Sequence, residues 1–216
     1  MALSPKTCGA VLLAGGQSRR MGTCKALLMV GGETMLSRLA RQLEDFDERL
    51  LSANDPLLAQ GLPLKLIPDV FRGAGPLGGL HAALSVTEKE ALFCMPCDLP
   101  YVTRKLPRLL LENFPEDADV LVCRDSAGRV HPLCGIYRKR VLPALRAQLD
   151  SGDRRVMALL EQVRCVYLDT AGLLPDYTFY NMNTQEAFLQ VSEGACQSEN
   201  ALACVNDKKE GQDGTA

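Results

Sequence analysis

The stretch AVLLAGGQSRRMGTCK, residues 10–25, decides the fold. Its first five residues form an apolar run without polar alternation, which predicts a strand that is buried on both faces, as in a parallel sheet. The glycines that follow let the backbone approach a ligand closely and turn its N–H groups toward it. Arg19, Arg20 and Lys25 add three positive charges with no acidic residue between them. Backbone donors and cations together suit a polyphosphate, so we predict a phosphate-binding loop. The alternative is a solvated loop that is merely basic.

Similar segments alternate along the rest of the chain. Apolar runs predict further strands at 50–53, 64–68, 91–95, 119–123, 132–137 and 165–168. Helical spacing of apolar residues predicts helices at 33–46, 75–86, 103–114, 141–149, 156–163 and 185–191. Candidate helix caps are the Asn54-Asp55-Pro56 segment, Thr103, Asp153 and Thr184. The alternation predicts an α/β fold in three layers, a Rossmann-like and mostly parallel sheet with helices on both faces. We expect one domain over residues 1–192 and a disordered polar tail at 193–216.

Composition excludes several classes of protein. The chain has 216 residues, with 24 Lys plus Arg against 26 Asp plus Glu, a net charge of −2. A dedicated nucleic-acid binder would carry a basic excess, so no nucleic-acid partner is expected. No apolar run reaches the length of a membrane span and no secretory signal is convincing, so we expect a cytoplasmic protein without a membrane partner. The nine cysteines are then expected to be reduced thiols.

Polar residues stand where predicted strands end, the edge at which α/β sheets bind ligands. Asp98 follows the most apolar strand and could hold a hard divalent cation, with phosphate and water as the other ligands. Asn54 and Asp69 end two other strands, and they are either turn and cap residues or substrate contacts. Asn181 and Asn183 precede the last predicted helix and leave the same two alternatives open.

Two motifs suggest other chemistry. GAGPLG at 73–78 satisfies the dinucleotide fingerprint, but four residues, 69–72, separate it from the preceding predicted strand, and the fingerprint needs its first glycine at the strand end. CMPC at 94–97 has the spacing of a redox motif, yet Pro100 follows and no helix begins at once to lower a thiol pKa. A zinc site is also disfavoured, because the chain has two histidines and no second C-x-x-C.

The residues at 13–25, LAGGQSRRMGTCK, resemble the signature loop of nucleotidyltransferases with the nucleotide-diphospho-sugar transferase fold. The whole pattern over residues 8–192 resembles one branch of them, the molybdenum cofactor guanylyltransferases of MobA type. The matching segments are Asp69, GPLGG at 75–79, PCDLP at 96–100, HPLCGIYR at 131–138 and NMNT at 181–184. One departure is Cys24, where the family usually has Asp or Asn before the loop lysine.

The resemblance implies transfer of GMP from GTP to molybdopterin carrying molybdenum, with release of pyrophosphate and a need for Mg²⁺. Further partners would be molybdoenzymes or their chaperones. It implies that the nucleotide is contacted by Leu13, Ala14, Gly15 and Gly16, and its phosphates by Lys25. The guanosine would be contacted by Asn54 and Asp69, and Asp98 would bind the metal and GTP. Asn181 and Asn183 would lie toward the pterin. Arg20, Lys25 and Asp98 would be catalytic through charge stabilisation. Rival functions are the cytidylyl counterpart, another nucleotidyltransferase, or a non-catalytic nucleotide or pterin carrier.

Overall fold

The structure is a computed structural model and describes residues 2–15, 25–30 and 32–182. The strands within these residues are β1 Cys8–Leu13, β2 Met29–Val30, β3 Glu33–Thr34, β4 Arg49–Ser52, β5 Lys65–Ile67, β6 Ala91–Pro96, β7 Val120–Arg124, β8 Val130–Arg138 and β9 Cys165–Asp169. The α-helices are α1 Met35–Arg41, α2 Pro76–Val86, α3 Lys105–Glu112, α4 Leu142–Asp150 and α5 Val156–Gln162. Short 3-10 helices lie at Lys25–Leu27, Pro56–Ala59, Lys139–Val141 and Asp176–Phe179.

Seven of these strands form one sheet in the order β5-β4-β1-β6-β8-β7-β9. Strands β5, β4, β1 and β6 are mutually parallel, and β7 is parallel to β9. Strand β8 is antiparallel to both of its neighbours, β6 and β7. Within this sheet all strands except β8 therefore run the same way, and their carboxyl ends share one edge with the turn that joins β7 to β8. The predicted α/β class with a mostly parallel sheet is confirmed.

Both faces of the sheet are covered, which explains the unbroken apolar run in the first strand. All six residues of β1 are buried. Ala10 and Leu12 pack with apolar residues of α1 and α3, whereas Val11 and Leu13 pack with those of α2, α4 and α5. Side chains alternate between faces along a strand, so a strand between two helical layers needs apolar residues at every position. The three-layer prediction is confirmed.

Helix α2 lies unusually close to the sheet because glycine occupies its first turn. A Cβ on Gly79 would collide with the Ser52 hydroxyl of β4 and lie 3.1 Å from Leu13 Cδ2 of β1. A Cβ on Gly78 would lie 2.9 Å from the Phe71 carbonyl oxygen. The glycines of GPLGG therefore bring the N-terminus of α2 against the strand ends.

The helix predicted at 33–46 is shorter than expected. Glu33 and Thr34 pair with β2 in a small hairpin, so α1 begins at Met35. Thr34 is its N-cap, and the Thr34 side-chain oxygen accepts a hydrogen bond from Ser37 N at 3.1 Å. The helix ends at Arg41, and turns then carry Leu43 and Phe46 into the core. Leu43 and Phe46 therefore continue the helical spacing of apolar residues in the sequence, although they lie beyond the end of the helix.

Two predicted caps are wrong and one is confirmed. Helix α3 begins at Lys105 after an Arg104 N-cap that makes no side-chain capping bond, so Thr103 does not cap it. Asp153 instead accepts a hydrogen bond from Arg155 N, and Arg155 is the N-cap of α5. Asp55 does cap the 3-10 helix at Pro56–Ala59 through its bond from Leu57 N.

The helix predicted at 185–191, its cap Thr184 and the tail at 193–216 lie outside the described residues. None of the described helices is both long and apolar enough to cross a membrane.

Candidate active site

Backbone hydrogen bonds join the carboxyl ends of neighbouring strands at one edge of the sheet. The Ala14 N–H donates to the Ser52 carbonyl at 2.9 Å, and the Cys97 N–H donates to the Leu13 carbonyl at 3.2 Å. These bonds align the segments that leave β4, β1 and β6, and β5 lies beside β4. The strand-end residues gathered at this edge are Gly15, Asn54, Asp69 and Asp98.

The carboxylate of Asp69 is held by two side chains from β4 and the residues after it. Ser52 Oγ donates to Asp69 Oδ1 at 3.0 Å, and Asn54 Nδ2 donates to Asp69 Oδ2 at 3.3 Å. The Asp69 N–H in turn donates to Asn54 Oδ1 at 3.1 Å. The two residues that the sequence singled out are therefore bonded to each other, and the carboxylate is fixed in one orientation.

Ser52 is a site residue that the sequence analysis missed. It was included in a predicted strand but given no role. The signal available in the sequence was a hydroxyl residue at the end of an apolar strand. In the structure the Ser52 residue is only 1% exposed. A buried hydroxyl needs a hydrogen-bond partner, and the carboxylate after the next strand is the one it finds.

Gly15 lies against the same carboxylate. A Cβ at this position would lie 3.4 Å from Asp69 Oδ2 and 3.9 Å from the Ser52 carbonyl oxygen. Those are ordinary contact distances, so alanine would fit the protein here. The missing side chain leaves the Gly15 backbone bare beside the carboxylate, between the ends of β1, β4 and β5.

Asp98 lies at the end of β6, on the other side of β1 from Asp69. It is half-buried, and its carbonyl oxygen accepts a hydrogen bond from the Met182 N–H at 2.9 Å. Strand β6, which Asp98 follows, has β8 as its neighbour on the side away from β1. Asn181 precedes Met182 and is exposed at the same edge.

The donor set around Asp98 fits one kind of metal site. No cluster of three or more His, Cys, Asp or Glu side chains that could hold a metal occurs among the described residues. A single carboxylate at a strand end suits Mg²⁺, which usually binds through one or two carboxylates together with water and substrate phosphates. It does not suit a structural zinc ion, which needs four protein ligands.

Part of the predicted site lies beyond the described residues. This part comprises Gly16, Arg20 and Asn183, together with Cys24. Lys25 opens the 3-10 helix Lys25–Leu27, but its side chain is also outside the described part. Leu13 and Ala14 lie at the end of β1, where the loop leaves the sheet.

The two competing motifs gain no support from their surroundings. Residues 68–72 separate β5 from Gly73, so the fingerprint glycine does not stand at a strand end. Cys94 is completely buried within β6, and burial raises the pKa of its thiol. Redox motifs need the opposite, an accessible thiol with a lowered pKa.

An edge of parallel strand ends with two separate carboxylates, one of them held beside bare glycine backbone, is the arrangement of a nucleotidyltransferase. The chain belongs to the family described as the MobA-like NTP transferase domain, whose family model matches residues 10–166. The match confirms the resemblance drawn from the sequence, and it shows that the chain is a nucleotidyltransferase.

Curated relatives are similar in sequence over most of the chain. A molybdenum cofactor guanylyltransferase of Vibrio parahaemolyticus is 32% identical over 194 residues, covering 88% of this chain and 98% of that protein. The protein of the same name from Vibrio atlanticus is 32% identical over 191 residues, covering 87% and 97%.

A solved structure shows the same fold. The crystal structure of molybdopterin-guanine dinucleotide biosynthesis protein A from Archaeoglobus fulgidus superposes with a TM-score of 0.76 at 22% identity, covering 87% of this chain and 98% of that one.

Proposed function

We propose that this chain transfers GMP from GTP to molybdopterin carrying molybdenum and releases pyrophosphate. The observation that carries the proposal is the Asp69 carboxylate, fixed by Ser52 and Asn54 beside the bare backbone of Gly15. A fixed carboxylate can accept hydrogen bonds from ring and amino N–H groups of guanine or from ribose hydroxyls. The relatives named molybdenum cofactor guanylyltransferase support guanine and the pterin acceptor.

The reaction needs no general base. An oxygen of the acceptor's terminal phosphate forms a bond to the α-phosphorus of GTP, the bond from that phosphorus to the bridging oxygen breaks, and pyrophosphate leaves with that electron pair. A phosphate is already a nucleophile at neutral pH, so positioning and charge stabilisation account for the catalysis. This agrees with a chain that has only two histidines.

The resemblance to this family supports a role for each residue of the proposed site. Leu13, Ala14, Gly15 and Gly16 would face the nucleotide, and Arg20 and Lys25 would neutralise phosphate charge from the loop after β1. Asp98 would hold a magnesium ion with phosphate oxygens and water, and the ion when bound neutralises charge on the phosphoryl oxygens. Asn181 and Asn183 would lie toward the pterin.

Nucleotide choice tests the proposal. The chain is incubated with each of four labelled nucleoside triphosphates, magnesium and molybdenum-loaded molybdopterin, and pyrophosphate release is measured. We expect GTP to be preferred over CTP and ATP by at least about 10²-fold in kcat/KM, because a wrong base leaves buried polar groups unpaired. Reactions without acceptor control for hydrolysis. Equal use of GTP and CTP would refute the guanylyl assignment. The absence of transfer from any of the four triphosphates would refute the proposed transfer reaction.

A further inference from the structure

The turn between β7 and β8 contains a buried carboxylate with several donors. Asp125 is 5% exposed, and its oxygens accept hydrogen bonds from the Ala127 and Arg129 N–H groups at 3.0 and 2.9 Å and from Arg129 Nε at 2.8 Å. His131 Nε2 lies 3.0 Å from Asp125 Oδ2. Burial alone would raise the pKa of Asp125, but the bonds from His131 and Arg129 outweigh it and bring that pKa to about 2. The ionised carboxylate therefore fixes the imidazole of His131.

The fixed imidazole packs on one segment near the end of the described chain. The rings of His131 and Phe179 are stacked, with centroids 4.1 Å apart and planes 12° from parallel. Beside them Ser126 Oγ donates to Asp176 Oδ1 at 2.7 Å. We call residues 176–182 the strap, and these two contacts attach the strap to the turn between β7 and β8.

The other end of the strap reaches the backbone of Asp98, the residue proposed to hold the metal. Tyr101 packs edge-on against Tyr177, with ring centroids 5.4 Å apart, and lies 6.2 Å from Tyr180. Met182 is completely buried, and its N–H donates to the Asp98 carbonyl at 2.9 Å. The strap thus connects the turn that holds His131 to the end of β6 and presents the exposed Asn181 between them.

The position of His131 in the sheet puts this arrangement on one side of the site. His131 lies in β8, which pairs antiparallel with β6, the strand that Asp98 follows. The strap and His131 therefore lie on the β8 side of Asp98, whereas Gly15, Asn54 and Asp69 lie on the β1, β4 and β5 side. An acceptor that attacks from opposite the nucleotide would meet the strap.

We infer that His131 is a positioning residue for the acceptor: held by Asp125 and stacked on Phe179, it fixes the strap that carries Asn181. The inference rests on the proposed function, because the acceptor side is defined by it. His131 acts here through Phe179 and not by touching the substrate. Among the donors to Asp125, His131 is the one whose ring stacks on the strap, and Ser126 adds a second contact from the same turn.

The test compares four variants of the full chain. His131→Ala and Phe179→Ala each remove one side of the stacked pair, whereas His131→Phe keeps an aromatic ring on Phe179 and loses only the bond to Asp125. Arg129→Ala is the matched control, since it removes another donor to Asp125 and leaves the stack intact. Three quantities are measured: the Kd of molybdopterin by equilibrium dialysis, the Kd of GTP, and the exchange rate of the Met182 amide hydrogen.

We expect His131→Ala and Phe179→Ala to weaken acceptor binding by about 3- to 10-fold, the range an aromatic pair provides, with GTP binding changed by less than about twofold. Exchange of the Met182 amide should accelerate by a similar factor, because the strap opens more often. His131→Phe should fall between wild type and His131→Ala in acceptor binding and in Met182 exchange, because it keeps the stacked ring but loses the bond that fixes it. Arg129→Ala should stay near wild type in all three measurements.

Other outcomes overturn the inference. A folded His131→Phe protein as impaired as His131→Ala would show that the imidazole itself is needed, not its stacking. Unchanged Met182 exchange in His131→Ala would show that the histidine does not fix the strap, and equal losses of GTP and acceptor binding would remove the assignment to the acceptor side. Dialysis and exchange do not need turnover, so a wild-type chain that binds molybdopterin without transferring GMP would refute the proposed function alone. A wild-type chain that does not bind it would refute both.

Discussion

Replacing Gly15 with alanine tests whether the space beside Asp69 is where the nucleotide binds. The added Cβ would lie 3.4 Å from Asp69 Oδ2 and 3.9 Å from the Ser52 carbonyl oxygen, both ordinary contact distances to the part of the chain that the structure describes. We therefore expect the fold to be kept, with a free energy of unfolding within about 0.5 kcal/mol of wild type. The methyl group would nevertheless fill space that faces the carboxylate.

The size of the effect follows from the bond at stake. If the methyl group prevents one hydrogen bond from the nucleotide to the Asp69 carboxylate, the loss is about 1.5–3 kcal/mol, the value of a hydrogen bond to a charged group. That converts to a fall of roughly 10- to 150-fold in kcat/KM for GTP. We expect CTP use to fall less, because a smaller pyrimidine needs less of this space.

Steady-state pyrophosphate release with GTP and with CTP measures both effects, and a double-mutant cycle with Asp69→Ala isolates the contact. In the Asp69→Ala background the Gly15→Ala change should cost little more, since the carboxylate it obstructs is gone. Fully additive losses, or equal losses for GTP and CTP, would show that Gly15 serves only the turn of the backbone and that base selection lies elsewhere.

Three further predictions concern the other charged groups. Asp98→Asn should lower kcat by at least about 10²-fold, since metal-assisted charge stabilisation supplies several kcal/mol, with an unchanged melting temperature; near-normal kcat would remove the metal assignment. Lys25→Ala should reduce GTP affinity or kcat/KM by roughly 10- to 150-fold without unfolding the chain, and unchanged titration calorimetry and kinetics would exclude the loop as the phosphate site. For Asp125, whose pKa lies near 2 in the folded chain against an ordinary 3.8, the contribution to stability is fully present above the ordinary value and is lost as pH falls through about 2. The stability difference between wild type and Asp125→Asn in urea denaturation should therefore shrink from about pH 5 to about pH 2, and a constant difference would contradict the depressed pKa.

The fold was predictable because its central strands carry strong signals. An apolar run such as residues 10–14 must be covered on both faces, so the layers follow from the sequence. The boundaries of α1 and α3 were not predictable from the same pattern. Leu43 and Phe46 are buried although they lie in turns after α1, so the apolar spacing predicted too late an end for that helix. The N-cap of α3 is Arg104, which makes no capping bond, so the preference for a capping residue such as Thr103 predicted the wrong start.

The site was predictable where a polar residue follows a strand and not where it lies inside one. Asn54 and Asp69 stood out as strand-end residues, and the structure joins them by hydrogen bonds. Ser52 lies within β4, and only the close approach of β4, β5 and the residues after them shows what it bonds to. His131 was part of a matching motif, but its role depends on Phe179, which lies 48 residues further along the sequence.

The single reversed strand, β8, has a consequence for how this enzyme can diversify. It separates the four parallel strands that carry Gly15, Asn54, Asp69 and Asp98 from the pair β7 and β9, and its turn to β7 spans only residues 125–129. Exchanging that turn alters the surroundings of the strap without touching a hydrogen bond between β5, β4, β1 and β6. On the proposed role of the strap, chimaeras that graft this turn between relatives should change in acceptor binding and keep their nucleotide preference.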